Sequence, residues 1–259
     1  MKVLFIGDVV GKPGRMGLER AMPELRERHS PDLVIANGEN VAGGLGITEK
    51  TAAHLFDAGV DAITTGNHVY HHRESYRFLD DADRVVRPAN YMHGNPGRGS
   101  TVVEASGRRV GVLNLSGALY LKVARHPFSE ADTQLDQLAG EADAVIVDFH
   151  CELTSEKVAM GWHLDGRVAA VLGTHTHVPT ADARVLPGGT AYISDVGMTG
   201  SRAGVIGVRR EQALEAFRTM MPIRFETADE DVWVNAVVVE VRDDGLADSI
   251  EQVLMPAPE

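Results

Sequence analysis

The chain has 259 residues, with 25 Lys and Arg against 37 Asp and Glu, a formal net charge of −12 at pH 7. That balance excludes a general nucleic-acid coat, which needs a basic face to displace counterions from phosphates. The 44% hydrophobic and 24% charged fractions exclude a disordered or fibrous chain and fit one globular domain over residues 1–259.

The first apolar run, Val3 to Ile6, is broken by Asp8 and Lys12. It is too short for a signal segment or a membrane span, so the expected location is the cytoplasm, away from membranes. A single cysteine, Cys151, excludes an internal disulfide and a Cys-based zinc site.

Five apolar runs end in a small or polar residue: Val3–Gly7, Leu33–Ala36, Ala62–Gly66, Ala144–Phe149 and Val168–Gly173. Near-continuous Val, Ile, Leu and Ala runs of this length predict strands buried on both faces. Helix-period segments lie between them. One covers Met16 to Arg28. A second covers Thr48 to Ala58, with Thr48 as N-cap and Gly59 just past its end. A third runs from Ser129, spaced as a capping motif with Asp132, to Leu138. The order β-α-β-α-β predicts a layered α/β fold.

Hairpins are expected at Thr101–Ala105 with Val110–Leu115 around Ser106-Gly107, and at Ala183–Leu186 with Thr190–Ser194 around Gly188-Gly189. Asp231–Val241 leads into a third through Asp243-Asp244-Gly245, so the sheets are mixed. A late helix carries Leu214, Phe217 and Met221 at i, i+3 and i+7, which predicts a core-facing stripe. The alternating strand over Val232–Val241 either pairs across an interface or lies within the sheet, which leaves a homo-oligomer open.

A residue able to bind a metal follows each of the five predicted strands. These are Asp8, the segment Asn37-Gly38-Glu39-Asn40, Asn67-His68, His150, and His175-Thr176-His177. Ligand crevices in open α/β sheets lie beyond the carboxyl ends of the strands, so the five ends are expected to share one rim. Glycines 7, 38, 66 and 173 are expected where backbone turns beside a ligand. Each signal has an ordinary reading: Asp8 caps a helix, Asn67 makes a turn, His68 lies on the surface, and His150 bonds a core carbonyl. His175-x-His177 is stronger, because i and i+2 of an extended segment face the same way. The ordinary reading needs five unrelated reasons at five strand ends.

Two carboxylates (Asp8, Glu39), two amides (Asn40, Asn67) and three imidazoles (His150, His175, His177) form a mixed O/N set suited to Mn, Fe or Zn. Seven ligands exceed what one tetrahedral ion takes and suffice for two ions bridged by a carboxylate and a hydroxide. The glycine pattern Gly7-x-x-x-Gly11-x-x-Gly14 is a weak dinucleotide signal, since Asp8 would oppose a pyrophosphate. Pro13 stands where a Walker A loop needs Ser or Thr.

The segments Gly7-Asp8-Val9-Val10, Asn37-Gly38-Glu39-Asn40, Gly66-Asn67-His68-Val69, His150 and Gly173-Thr174-His175-Thr176-His177 resemble the calcineurin-like metallophosphoesterases. Val10 replaces that superfamily's first His and Glu39 its bridging Asp. With Ile193-Ser194-Asp195-Val196-Gly197-Met198, these departures resemble the YmdB-like branch over nearly the whole chain. The resemblance implies a metallophosphoesterase-type sandwich of mixed central sheets flanked by helices, and hydrolysis of cyclic nucleotides such as 2′,3′-cyclic AMP. It implies two divalent or mixed-valence ions, one held by Asp8, Glu39, Asn40 and His177, the other by Glu39, Asn67, His150 and His175. A hydroxide bridging them would attack phosphorus, with His68 as proton donor to the departing ribose oxygen. Arg125, His126 and Asp195 are candidates for the substrate side. The competing readings are a metal-binding regulatory scaffold with little turnover and a protein phosphatase of the same superfamily.

Overall fold

A computed structural model describes residues 1–258. In chain order its first half comprises β1 (Lys2–Ile6), β2 (Asp8–Val9), α1 (Gly11–His29), β3 (Leu33–Asn37), α2 (Glu49–Asp57), β4 (Ala62–Thr64), α3 (Ser75–Asp81), β5 (Ser100–Ala105) and β6 (Arg108–Ser116). There follow α4 (Pro127–Leu138), β7 (Ala144–His150), α5 (Thr154–Leu164), β8 (Ala170–Thr174), β9 (Arg184–Val185) and β10 (Ala191–Ile193). The last are β11 (Met198–Ser201), α6 (Arg210–Thr219), β12 (Val232–Val241) and β13 (Ala247–Pro256).

The strands form two sheets, as a sandwich requires, and the five predicted strands divide between them. One has the order β2-β11-β12-β1-β3-β4, with β13 on β12, and the other β5-β6-β7-β8-β10-β9. β1, β3 and β4 run parallel in the first, and β6, β7, β8 and β10 in the second. Strand alternation explains the unbroken apolar runs. From β1, Val3 and Phe5 enter the layer between the sheets, where they meet residues such as Val112, Ile146 and Leu172. Leu4 and Ile6 face the other way, onto Leu18, Ala21 and Leu25 of α1. The outer face of the second sheet packs Val147 and Phe149 against Met160 and Leu164 of α5. The result is a four-layer α/β/β/α sandwich. Each fully buried side chain of this size contributes about 1.5–3 kcal/mol.

Thr48 caps α2 as expected, exchanging hydrogen bonds with Thr51, and Gly59 follows at φ 97°. The hairpin between β5 and β6 turns at Ser106 and Gly107, both at positive φ, as a two-residue turn requires. β12 lies inside the first sheet, flanked by β1 and β11 on one side and β13 on the other, which settles its alternation.

Three expectations fail locally. α1 begins at Gly11, not Met16, because backbone serves its start: the Gly11 N–H donates to the Asn40 carbonyl at 2.9 Å, and no side chain caps it. α4 begins at Pro127, whose fixed φ suits a first helical position, and Ser129 lies inside the helix with its hydroxyl on the His126 carbonyl. The stripe on α6 faces outward: Leu214 and Phe217 are exposed, Ala213 is the helix's buried residue, and the exposed Met221 lies past the helix end at Thr219, beyond the left-handed Met220. Among the described residues no helix is long and apolar enough to cross a membrane.

Candidate metal centre

The seven residues converge where the ends of β1, β3 and β4 meet those of β7 and β8. Adjacent registers aim them: Ile6 pairs with Ala36, Asn37 with Thr64, and His150 with Thr174, so the loop after each strand leaves at one level. His150 Nε2 lies 3.1 Å from Glu39 Oε1, 3.0 Å from Asn67 Oδ1 and 3.1 Å from His175 Nδ1. Across the cluster, Asn40 Nδ2 lies 2.9 Å from His177 Nε2 and 3.1 Å from Glu39 Oε1. Asp8 Oδ1 is 3.9 Å from both His150 Nδ1 and His177 Nε2. Ligand-capable atoms fall into two groups, Glu39 with His150 and His175, and Asp8 with Glu39 and His177. Glu39 belongs to both.

These residues fit bound cations on two grounds. One ring nitrogen of His150 faces a carboxylate oxygen, an amide oxygen and a second imidazole nitrogen, and a single proton there serves only one of them. Asp8 Oδ1 is buried with no hydrogen-bond partner, which costs about 1–3 kcal/mol or more for a charged group. The pKa shifts report the same electrostatic tension. Burial pushes the Asp8 carboxyl up to about 6, against the pull of His177 and His150. Burial also raises Glu39, but the positive charge and hydrogen bond of His150 prevail and hold it well below the carboxylate range. Burial and the His150 charge lower His175 to about 3.

Each imidazole has its other nitrogen occupied, which fixes the ligand tautomer. His150 Nδ1 lies 2.8 Å from Thr174 Oγ1, and that hydroxyl donates to Asp148 Oδ1 at 2.7 Å, so Nδ1 keeps its proton and Nε2 is the nitrogen that would bind a cation on giving up its own. His175 Nε2 meets Glu152 at 3.0 Å, and His177 Nδ1 meets the Ile206 carbonyl at 2.9 Å. Asp148 was absent from the sequence reading. It is fully buried and also accepts from Thr64 Oγ1 and, at 2.8 Å, from Asn37 Nδ2. The same Asn37 accepts the Glu39 N–H at 3.1 Å, so it sets the loop that carries Glu39.

His175-Thr176-His177 is not extended: His175 has φ 97° and His177 φ 66°. Such a conformation costs non-glycine residues about 1–3 kcal/mol and must be held by its surroundings. Asp195 holds it, accepting from the Thr176 N–H at 3.1 Å and the Thr176 hydroxyl at 2.8 Å. Lys157 Nζ, buried and 2.6 Å away, balances that carboxylate. Asp195 is thus buried and supports the loop. Arg125 is spent on Glu130 and the Ala89 carbonyl, and His126 starts α4 against Phe128.

Of the glycines, Gly66 alone borders the cluster: a Cβ there would lie 2.3 Å from Glu39 Oε2 and 2.4 Å from His150 Nε2. Gly7 and Gly173 instead admit the carbonyls of Gly197 and Ser194, and Gly38 packs on Ile63.

His68, half-buried, donates its N–H to Glu39 Oε2 at 3.1 Å and has Nε2 3.3 Å from Asn67 Nδ2. Burial lowers its pKa against the pull of Glu39. It lines a cavity of about 290 Å³ together with Glu39, Asn40, His175 and His177.

The family described as YmdB-like protein matches residues 4–253. The chain belongs to this family. A 2′,3′-cyclic-nucleotide 2′-phosphodiesterase of Bacillus subtilis is 46% identical over 256 residues, 98% of this chain and 97% of that protein. A crystal structure of a hypothetical protein from Thermus thermophilus superposes with TM-score 0.93 at 41% identity, covering 100% of both chains. A crystal structure of a novel phosphatase from Mycoplasma pneumoniae gives TM-score 0.92 at 36% identity, covering 99% of this chain and 93% of that one. The four-layer sandwich is thus the fold of this family, and the sandwich of mixed sheets expected from the sequence is borne out.

Proposed function

We propose that the chain works as one metal-dependent phosphodiesterase domain that hydrolyses cyclic nucleotides such as 2′,3′-cyclic AMP, with Fe or Mn as its ions and Zn as a substitute. The observation that carries this reading is the double membership of Glu39 in two ligand groups beside the ring of His68 and an open cavity. The similarity to the Bacillus subtilis phosphodiesterase supports the substrate class.

Asp8, Glu39, Asn40 and His177 would hold one ion, and Glu39, Asn67, His150 and His175 the other. Ions bound there supply Lewis acidity, activating water as nucleophile and neutralising charge on the phosphate oxygens. Asp148, Thr174, Glu152 and the Ile206 carbonyl keep the three imidazoles in their ligand tautomers. His68 donates a proton to the ribose oxygen as its bond to phosphorus breaks and the water oxygen joins phosphorus, leaving a nucleoside monophosphate. No Lys or Arg lines the cavity. That suits a phosphodiester with one negative charge better than a phosphomonoester with two.

A substrate panel with manganese tests the reading: 2′,3′-cyclic nucleotides, bis(4-nitrophenyl) phosphate, 4-nitrophenyl phosphate and a phosphoserine peptide. Turnover of both diesters well above the monoester and peptide is expected. Turnover of the peptide without the diesters would favour a protein phosphatase, and no turnover at all a scaffold. Either contradicts the proposal.

A further inference from the structure

The cavity beside His68 has a second, apolar wall made by Leu45, Ile206, Val208, Phe217 and Phe225. Phe217, at 75% exposure, and Phe225, at 50%, keep large aromatic surfaces in water, which marks a recognition surface when they adjoin a cleft. Their placement is fixed by backbone. The Arg209 N–H donates to the Glu226 carbonyl at 2.9 Å, and the Glu226 N–H donates to Gln212 of α6 at 2.8 Å, which sets Phe225 beside the helix that carries Phe217. Ala213 anchors that helix to the body. The wall is also continuous with the ligand cluster, because the carbonyl that holds His177 belongs to Ile206.

We propose that this wall is a nucleobase subsite in which Phe217 and Phe225 stack the base of a cyclic nucleotide whose phosphate lies at the Glu39 cluster, a reading that rests on the phosphodiesterase function proposed above. In a nucleoside 2′,3′-cyclic phosphate the base and the cyclic phosphate share one furanose ring, so seating the phosphate at the cluster leaves the base only a short reach to the adjoining wall. The cavity volume of about 290 Å³ is close to the lower limit of small-molecule sites. Five apolar side chains offer the base edge no hydrogen-bond donor or acceptor, so the subsite selects by ring area and not by base identity. Purines then bind better than pyrimidines, and bases of one ring size bind alike.

The test compares steady-state kinetics on 2′,3′-cyclic AMP with those on methyl ribofuranoside 2′,3′-cyclic phosphate, which lacks a base. Wild type should show a lower KM for the nucleotide. Phe217→Ala and Phe225→Ala should raise that KM by about 5- to 150-fold, the range for losing one base stack. Their kcat should stay near wild type, and KM for the base-free substrate should change far less. Leu214→Ala, on the same helix but outside the cavity, should match wild type on both substrates and so controls for helix stability. Equal wild-type KM values for the two substrates would overturn the subsite. So would equal losses on both substrates in the Phe variants, or a change in self-association without a change in KM. Failure of wild type to cleave either cyclic phosphate while it cleaves bis(4-nitrophenyl) phosphate would instead refute the substrate class.

Discussion

The two halves of the ligand cluster are built from different materials. On the His150 side the ring is fully buried at the end of a central strand, and its support runs through Thr174 to Asp148, itself buried and bonded by Thr64 and Asn37. Asn67 already turns its oxygen to the centre. On the His177 side the support is the Ile206 carbonyl in an exposed loop, Asp8 has an unpartnered oxygen, and Asn40 turns its amide nitrogen inward. As a ligand Asn40 would present its oxygen. The sheets preorganise one half, whereas the other would be completed only by a bound cation. Two ions should therefore bind unequally, the tighter one on the His150 side.

Glu39 joins the halves, so its removal should erase the difference between them. Glu39→Gln is expected to lose both ions and to bring activity close to background, a larger loss than from any single terminal ligand. Activity near wild type in that variant would take Glu39 out of the site. His68→Ala should keep both ions and lower kcat by roughly 10²- to 10⁴-fold on 2′,3′-cyclic AMP. The same variant should lose much less on bis(4-nitrophenyl) phosphate, whose nitrophenolate departs without a proton. Equal losses on both substrates, or loss of metal, would refute His68 as proton donor.

Asp148→Asn sharpens the comparison further, since of the three imidazoles Asp148 backs His150 alone, while Asn37 ties it to the Glu39 loop. Metal affinity should fall by about 10- to 100-fold for the tighter ion and stay near wild type for the weaker. Titration of the variant with manganese reads this directly. An equal loss at both sites would mean that Asp148 supports the fold as a whole.

The cluster was legible because its ligands follow strands whose apolar runs are unbroken, and such runs arise only where both faces are covered. The supports were harder to read. Asp148 has a local signal, a lone carboxylate in the run Val147-Asp148-Phe149, two residues before His150 and on the same strand face. The tie between Asp195 and Thr176, and the Lys157 charge behind it, join residues up to 38 apart and leave no periodicity. Of the expected stripe, Leu214 and Phe217 lie on α6 and Met221 falls past its end, and the partner is not the core. Periodicity reports that a helix has an apolar face, not what covers it, and here the face turns away from the core. The apolar runs alone do not divide the strands between two sheets, because parallel strands in either sheet give the same run; the expectation of two sheets came from the family resemblance.

Glu39 is proposed to bridge two cation sites of unequal strength. Calorimetric titration of the chelator-treated protein with manganese, paired with elemental analysis of the reconstituted protein, tests it most directly. Two ions per chain are expected, bound in two resolved steps, with His177→Ala removing the weaker step and leaving the tighter one. A stoichiometry of one in the wild-type protein, or a His177→Ala variant that loses the tighter step, would contradict it.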